Sequence, residues 1–452
     1  MWWTRGWGGL GIVALALACV PREETASAEG AGDETSSRGD DDSTAATPTA
    51  SSTGAATSST STSTTASDSS TSSDDDSSFI PIVDMGPYSA CPQPEPTAQA
   101  ASCDSGTHDA GELCWQGAAT RCAEGGPEGV WFADFGEGID VVYIPLGSDG
   151  IYRVDATIAG MLGEPEALLG GSYPMGLVPA DVVGDLAIDL VVADEAGVTV
   201  HRGLPDVTFV ESAISAIGAI GRVHTAELDG IAPRDLLGTT EIGYGSGNVR
   251  VAFGGPGGTY DDELELALGS QVWPRAADFD GDGRDELVVL TDDTYADPPA
   301  PRRIVVLSAP FDVADAIVID TADDLGFPVF GRFDAGPTLD LGYYRDDELV
   351  MHPGLGDGAF AAPITSPIES WPVIGADLDG DGHHEVVTAR SVVALTDDGT
   401  VAEVAEFDIG YNNYGVLSAA LADANDDGLL DILFGSGYGQ RNGTIHLVLS
   451  NP

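Results

Sequence analysis

The chain has 452 residues and sets 74 acidic side chains against 17 basic ones, a formal net charge of −57. All 17 basic residues are arginine, which excludes a P-loop, a Schiff-base lysine and a kinase-type catalytic lysine. Nucleic acid and anionic lipid surfaces, which are bound through phosphate neutralisation, would meet repulsion at any contact surface. With 42% hydrophobic residues and 59 glycines, the composition suits many short strands joined by tight turns.

Residues 1–18 read as a signal peptide. Arg5 precedes an apolar run from Leu10 to Ala18, much shorter than the roughly 20 apolar residues of a membrane span. The run ends in Leu15-Ala16-Leu17-Ala18-Cys19, which resembles the lipobox of bacterial lipoproteins, with Ala16 where that family prefers leucine. The resemblance implies that Cys19 receives lipid and becomes the mature N-terminus. The expectation is an exported protein, anchored by lipid to the outer membrane or cell surface of a bacterium. Its only contact with the membrane would be that anchor. Residues 19–88 form a tether, because the Ser/Thr-rich stretch from Ser43 to Ser78 buries too little apolar surface to offset its ordering entropy.

Cys91, Cys103, Cys114 and Cys122 fall within residues 89–125 and contain no CxxC pair, which argues against zinc. In an exported protein they predict a small disulfide-rich segment with two bridges and three possible connectivities. Cys103-Asp104-Ser105-Gly106 and Gly111-Glu112-Leu113-Cys114 resemble, in part, a short Cys-rich repeat of secreted bacterial proteins.

Over residues 126–452 the chain repeats itself. Three copies are complete: Ala277-Asp278-Phe279-Asp280-Gly281-Asp282-Gly283-Arg284-Asp285-Glu286, then Ala376 to Glu385, then Ala422 to Asp431. Each runs straight into an apolar β-rich stretch. Four weaker copies share the frame, anchored at Asp134, Asp181, Glu227 and Arg332, with Ala or Gly before every anchor. Anchors recur every 45 to 54 residues, the length of one four-stranded propeller blade. The fold class predicted is all-β: a seven-bladed β-propeller of four-stranded blades, preceded by the tether and the disulfide-rich segment.

The spacing D-x-D-x-D-G-x-x-[DE] suits calcium, which takes six to eight oxygens. Positions 1, 3, 5 and 9 supply side-chain oxygens, position 6 is the glycine that allows the sharp turn, and position 7 offers its carbonyl. The ligand sets are Asp278, Asp280, Asp282, the carbonyl of Arg284 and Glu286; Asp377, Asp379, Asp381, the carbonyl of His383 and Glu385; and Asp423, Asn425, Asp427, the carbonyl of Leu429 and Asp431. An EF-hand is excluded, because position 12 is Val289, Thr388 or Phe434 and a strand follows. The four weaker loops read as plain turns. These residues resemble the FG-GAP/VCBS repeat family, the calcium-loop propeller repeats also found in integrin α chains. The resemblance implies three Ca2+ sites on loops linking the first and second strands of blades.

No HExxH or G-x-S-x-G motif occurs, and no residue nominates itself as catalytic. His224, Glu227 and Asp229 are the one compact mixed cluster, and they fall in a weak repeat loop. These absences favour a non-catalytic, calcium-binding surface lipoprotein, monomeric, whose propeller binds or adheres to a protein or glycan. The alternative is a secreted propeller enzyme, a lyase or hydrolase acting on polysaccharide.

The seventh repeat has room for only three strands before the chain ends at Pro452. Residues near Leu113–Thr120 are therefore expected to supply its outer strand, pairing with 444–449.

Overall fold

The computed structural model describes residues 113–450 apart from short stretches within that span. The signal peptide, Cys19, the tether, Cys91 and Cys103 lie outside the described residues, and so does the side chain of Cys122. Among the described residues, no helix is long and apolar enough to cross a membrane.

The chain forms seven antiparallel sheets of four strands each. The inner strands are Pro127–Asp134, Pro174–Ala180, Arg222–Ala226, Gln271–Ala277, Val329–Gly331, Pro372–Ala376 and Val416–Ala422, and they number blades 1 to 7. In blades 1 to 6 the second, third and outer strands follow in chain order. In blade 5 residues 356–363 make a turn that leads to the outer strand, Ile364–Pro367.

One register is common to all seven blades. The small residue before each anchor pairs with the acid that opens the second strand: Ala133 with Asp140, Ala180 with Asp189, Ala226 with Asp235 and Ala277 with Glu286. Gly331 pairs likewise with Asp340, Ala376 with Glu385 and Ala422 with Asp431. The weak repeats are therefore true structural copies. In blade 1 the loop is shorter, and the pairing is unchanged.

The second strands read as unbroken apolar runs because both of their faces are buried. In blade 4, Leu287 and Val289 pack toward blade 3, whereas Val288 and Leu290 pack toward blade 5. Each pair of neighbouring blades shares one such hydrophobic cluster, including blades 7 and 1, where Leu433, Ile445 and Leu447 meet Val130, Val141 and Tyr143. The sheets thus close into a ring.

The ring is closed by strand exchange between the two ends of the described chain. Ala119–Glu124 pairs with Asn442–Val448 as the outer strand of blade 7, with Ala119 opposite Leu447 and Glu124 opposite Asn442. The strand lies a few residues later than Leu113–Thr120. The earlier part of that segment still contributes, because Trp115 bridges Ser450 and its ring is buried in the cluster between blades 6 and 7. Cys114 beside it is buried and disulfide-bonded.

Candidate metal centres

The loops of interest join inner to second strands. In blade 4 the Asp278 carboxylate accepts the Gly281 and Gly283 N–H groups at 2.6 and 2.9 Å. Asp280 accepts from Asp282 N–H, and Asp282 from Arg284 N–H, at 3.0 and 2.9 Å. Glu286 reaches back from the strand to accept from Phe279 N–H at 2.9 Å. The acids thus wind the backbone inward around their own oxygens. The winding needs left-handed backbone at the sixth position, where Gly283, Gly382 and Gly428 have φ of 89°, 93° and 86°.

Blades 6 and 7 repeat the pattern. Asp377 accepts from Gly382 N–H, Asp379 from Asp381 N–H, Asp381 from His383 N–H and Glu385 from Leu378 N–H. In blade 7, Asp423 accepts from Asp427 and Gly428 N–H, Asn425 from Asp427 N–H, and Asp427 from Leu429 N–H. Asp431 accepts from both Ala424 N–H and Ser450 N–H.

Two carboxylate triads converge, with one oxygen from each residue within 4.8 Å of the others: Asp278, Asp280 and Asp282, and Asp377, Asp379 and Glu385. The blade 7 set does not gather three carboxylates in this way, and Asn425 stands there in place of an acid. Among the described residues, three loop carboxylate oxygens are buried without a hydrogen-bond partner, and one of them, Glu227 Oε1, lies in the weak loop of blade 3. The other two, Asp377 Oδ1 and Asp427 Oδ2, are in blades 6 and 7. A buried carboxylate oxygen without a partner is costly, and a set of hard oxygen donors around it fits a hard cation. Burial, reinforced by the neighbouring loop carboxylates, raises Glu286 to about 7 and Glu385 to about 8. Asp431 is raised to about 7, again chiefly by burial.

The ninth-position acid has a second job that sequence reasoning missed. In the weak loops, one oxygen of Asp189, Asp235 or Asp340 accepts two successive loop N–H groups. The other oxygen accepts the N–H of Gly203 or Gly254 at the end of the third strand, or of Gly354 just past it. Glycine is required there. A Cβ would lie 2.2 Å from the Ile188 carbonyl oxygen at Gly203, and 2.1 Å from that of Leu339 at Gly354. Gly203 and Gly354 each follow the acid by 14 residues and Gly254 follows it by 19, so only two of the three share a spacing that sequence could show.

The blade 2 loop, expected to be a plain turn, keeps the backbone of the complete loops. Asp181 accepts from Gly184 and Leu186 N–H, and Leu186 holds φ of 70° where the complete loops have glycine. Its fifth-position acid, Asp185, is bonded by the Arg202 guanidinium, with Nε 2.7 Å from Oδ2. An arginine thus supplies positive charge to this loop.

Loops also join neighbouring blades. Asp285 of the blade 4 loop exchanges backbone and side-chain hydrogen bonds with Glu227 of blade 3. His383 and His384 reach blade 5: His383 Nδ1 lies 3.1 Å from the Asp334 carbonyl, and His384 N–H donates to the Arg332 carbonyl. His224, Glu227 and Asp229 are not among the side-chain groups that converge, within the described residues.

No protein-family model matches the chain, and no curated protein matches it. Solved structures similar to it include a lectin from Agrocybe aegerita described as recognising non-reducing terminal N-acetylglucosamine. That lectin is 18% identical with a TM-score of 0.38, covering 52% of this chain; this chain spans 65% of the lectin's length. A rhamnogalacturonan lyase from Bacillus licheniformis is 11% identical over 78% of this chain and 74% of its own, with a TM-score of 0.40. A gluconolactonase from Xanthomonas campestris is 11% identical over 79% and 99%, with a TM-score of 0.34. At such similarity no activity passes to this chain. Its own sheets define its class: it is a seven-bladed β-propeller.

Proposed function

We propose that this is a calcium-stiffened, non-catalytic binding module of the FG-GAP/VCBS kind, displayed outside the cell on a lipid anchor at Cys19. The observation that carries the metal reading is the pair of buried, unpartnered oxygens, Asp377 Oδ1 and Asp427 Oδ2, inside loops already lined with carboxylates. Calcium would be held by Asp278, Asp280, Asp282 and Glu286 in blade 4. In blade 6 the ligands would be Asp377, Asp379, Asp381 and Glu385, and in blade 7 Asp423, Asn425, Asp427 and Asp431. The carbonyls of Arg284, His383 and Leu429 would complete the three sets. The ion would supply the positive charge that the acids lack and would lock each loop against its neighbouring blade. A rigid ring leaves its two faces free to present loops to a protein or glycan.

Melting curves in chelator and in millimolar calcium test the metal. Calcium should raise the midpoint by mass action, and Asp377→Asn combined with Asp427→Asn should abolish most of the rise. Identical curves for the wild type would refute the reading. Affinities at the extracellular end, on the order of 10⁻⁴ to 10⁻³ M, are expected. The anchor is tested separately: a fatty-acid analogue should label the wild type in cells and leave Cys19→Ser unlabelled.

A further inference from the structure

The outer strand of each blade has an open edge, and charge is the usual guard against unwanted pairing there. Acids stand in the outer strands of five blades: Glu166 in blade 1, Glu211 in blade 2, Glu263 in blade 3, Glu403 in blade 6 and Glu124 in blade 7. That of blade 5 has four residues and ends in Pro367. Blade 4 differs. Its outer strand, Ile317–Ala322, pairs on one side only, with Arg302–Leu307, and its single charge, Asp320, is engaged. Asp320 Oδ2 accepts from the Tyr343 hydroxyl at 2.8 Å and from Arg345 Nη1 at 2.9 Å, both of blade 5. Its Oδ1 accepts the Thr321 N–H at 2.7 Å.

What this edge shows to solvent is apolar. Ile317 and Val318 are each 52% exposed, and Val313, on the 3-10 turn that leads in, is 39% exposed. Elsewhere among the described residues, the exposed large hydrophobics stand singly in the chain. A bulge at Ile319 turns that side chain into the cluster between blades 4 and 5 and leaves Ile317 and Val318 outside it. The outer strands of blades 1 and 6 bulge too, but keep their acids.

Acids bracket the strand. Asp312 and Asp315 precede it, and Asp323 and Asp324 follow it. Asp312, Asp315 and Asp323 are exposed, and no arginine pairs with them among the described residues. These charges select the occupant. Two copies paired edge to edge, antiparallel, would set Asp312 and Asp315 of one beside Asp323 and Asp324 of the other, and like charges placed opposite destabilise a sheet. The chain before residue 113 fits no better, with Arg5, Arg22 and Arg38 as its only basic residues among many acids. A segment with an apolar centre and cationic ends matches the edge and its brackets together.

We propose that the outer edge of blade 4 accepts a fifth strand, an extended segment of a partner protein that lays apolar residues on Ile317 and Val318 and cationic ones on the acids at both ends. Main-chain hydrogen bonds would supply affinity, and the side chains would supply selectivity. The edge shares no residue with the calcium loops and does not depend on them.

The probe is a labelled synthetic peptide with an alternating Val-Thr core and two arginines at each end, titrated into the full chain in chelator and followed by fluorescence anisotropy. It should bind saturably. The same peptide N-methylated along its core keeps its charge and loses its main-chain donors. It should bind about tenfold or more weakly, as expected for the loss of two or more hydrogen bonds. Ile317→Glu combined with Val318→Glu adds negative charge, so attraction by charge alone would tighten binding, whereas strand addition predicts that it weakens. Val404→Glu, on the outer strand of blade 6, should leave binding unchanged. Equal binding of the methylated peptide overturns the proposal, as does binding that the double variant leaves intact or tightens, or no binding at all. Sedimentation velocity covers the other occupant: a wild-type dimer that the double variant abolishes would assign the edge to a second copy and overturn the proposal as well.

Discussion

Each second strand begins with a carboxylate that burial deprives of water, and this couples the fold to pH. Asp140 illustrates it without any metal loop. Burial raises it to about 7, against a lowering influence of Arg153 and a further rise from Asp155. The native state therefore keeps this proton between about 4 and about 7, whereas the unfolded chain has released it near the ordinary value of 3.8. Since the native state binds more protons in that window, its stability falls as pH rises through it. Buried histidines act with the opposite sign: His446, lowered to about 4 by burial, contributes stability that is lost as pH falls. The difference between wild type and Asp140→Asn isolates the carboxylate. In urea melts that difference should shift against the wild type from pH 4 to 7 and then level off. A difference independent of pH would show that Asp140 is ionised throughout.

At the scale of the loop, the anchor pattern was legible because local hydrogen bonding dictates it. Carboxylates at positions 1, 3 and 5 accept N–H groups two to five residues ahead, and glycine at position 6 supplies the left-handed turn. Such bonds depend on neighbours in sequence, so spacing reveals them. The weak loops are harder to read because the same backbone can be held by other means. Leu186 accepts the left-handed conformation, and Arg202, 17 residues from Asp185, provides charge from the third strand. The glycines at 203, 254 and 354 were overlooked for a related reason. What they avoid is a carbonyl on the connection before the second strand, which only the folded sheet brings near.

At the scale of the whole molecule, stability depends on closure. A ring of sheets leaves an edge wherever a blade lacks its outer strand, and an open edge invites association. Here Ala119–Glu124 covers the third strand of blade 7, and the buried Trp115 fills the space between blades 6 and 7. A chain beginning at residue 126 should therefore unfold at a lower denaturant concentration and associate with rising concentration, in calcium as in chelator. Sedimentation velocity and urea melts check both. A truncated chain that stays monomeric and equally stable would show that the closing strand is dispensable.

The sequence by itself determined the blade count, the four-stranded unit, the loop positions and the need for the two ends to meet. Those follow from periodic apolar runs and from turn chemistry, both local in the chain. Only the tertiary structure decided that the closing strand starts at Ala119 and not near Leu113, since strand register is a contact between residues more than 300 positions apart. Only it put the Arg222 guanidinium against the Trp273 ring, because the two are neighbours across blades and far apart in the chain. Long-range pairing is set by packing of whole sheets, and no spacing in the sequence records it.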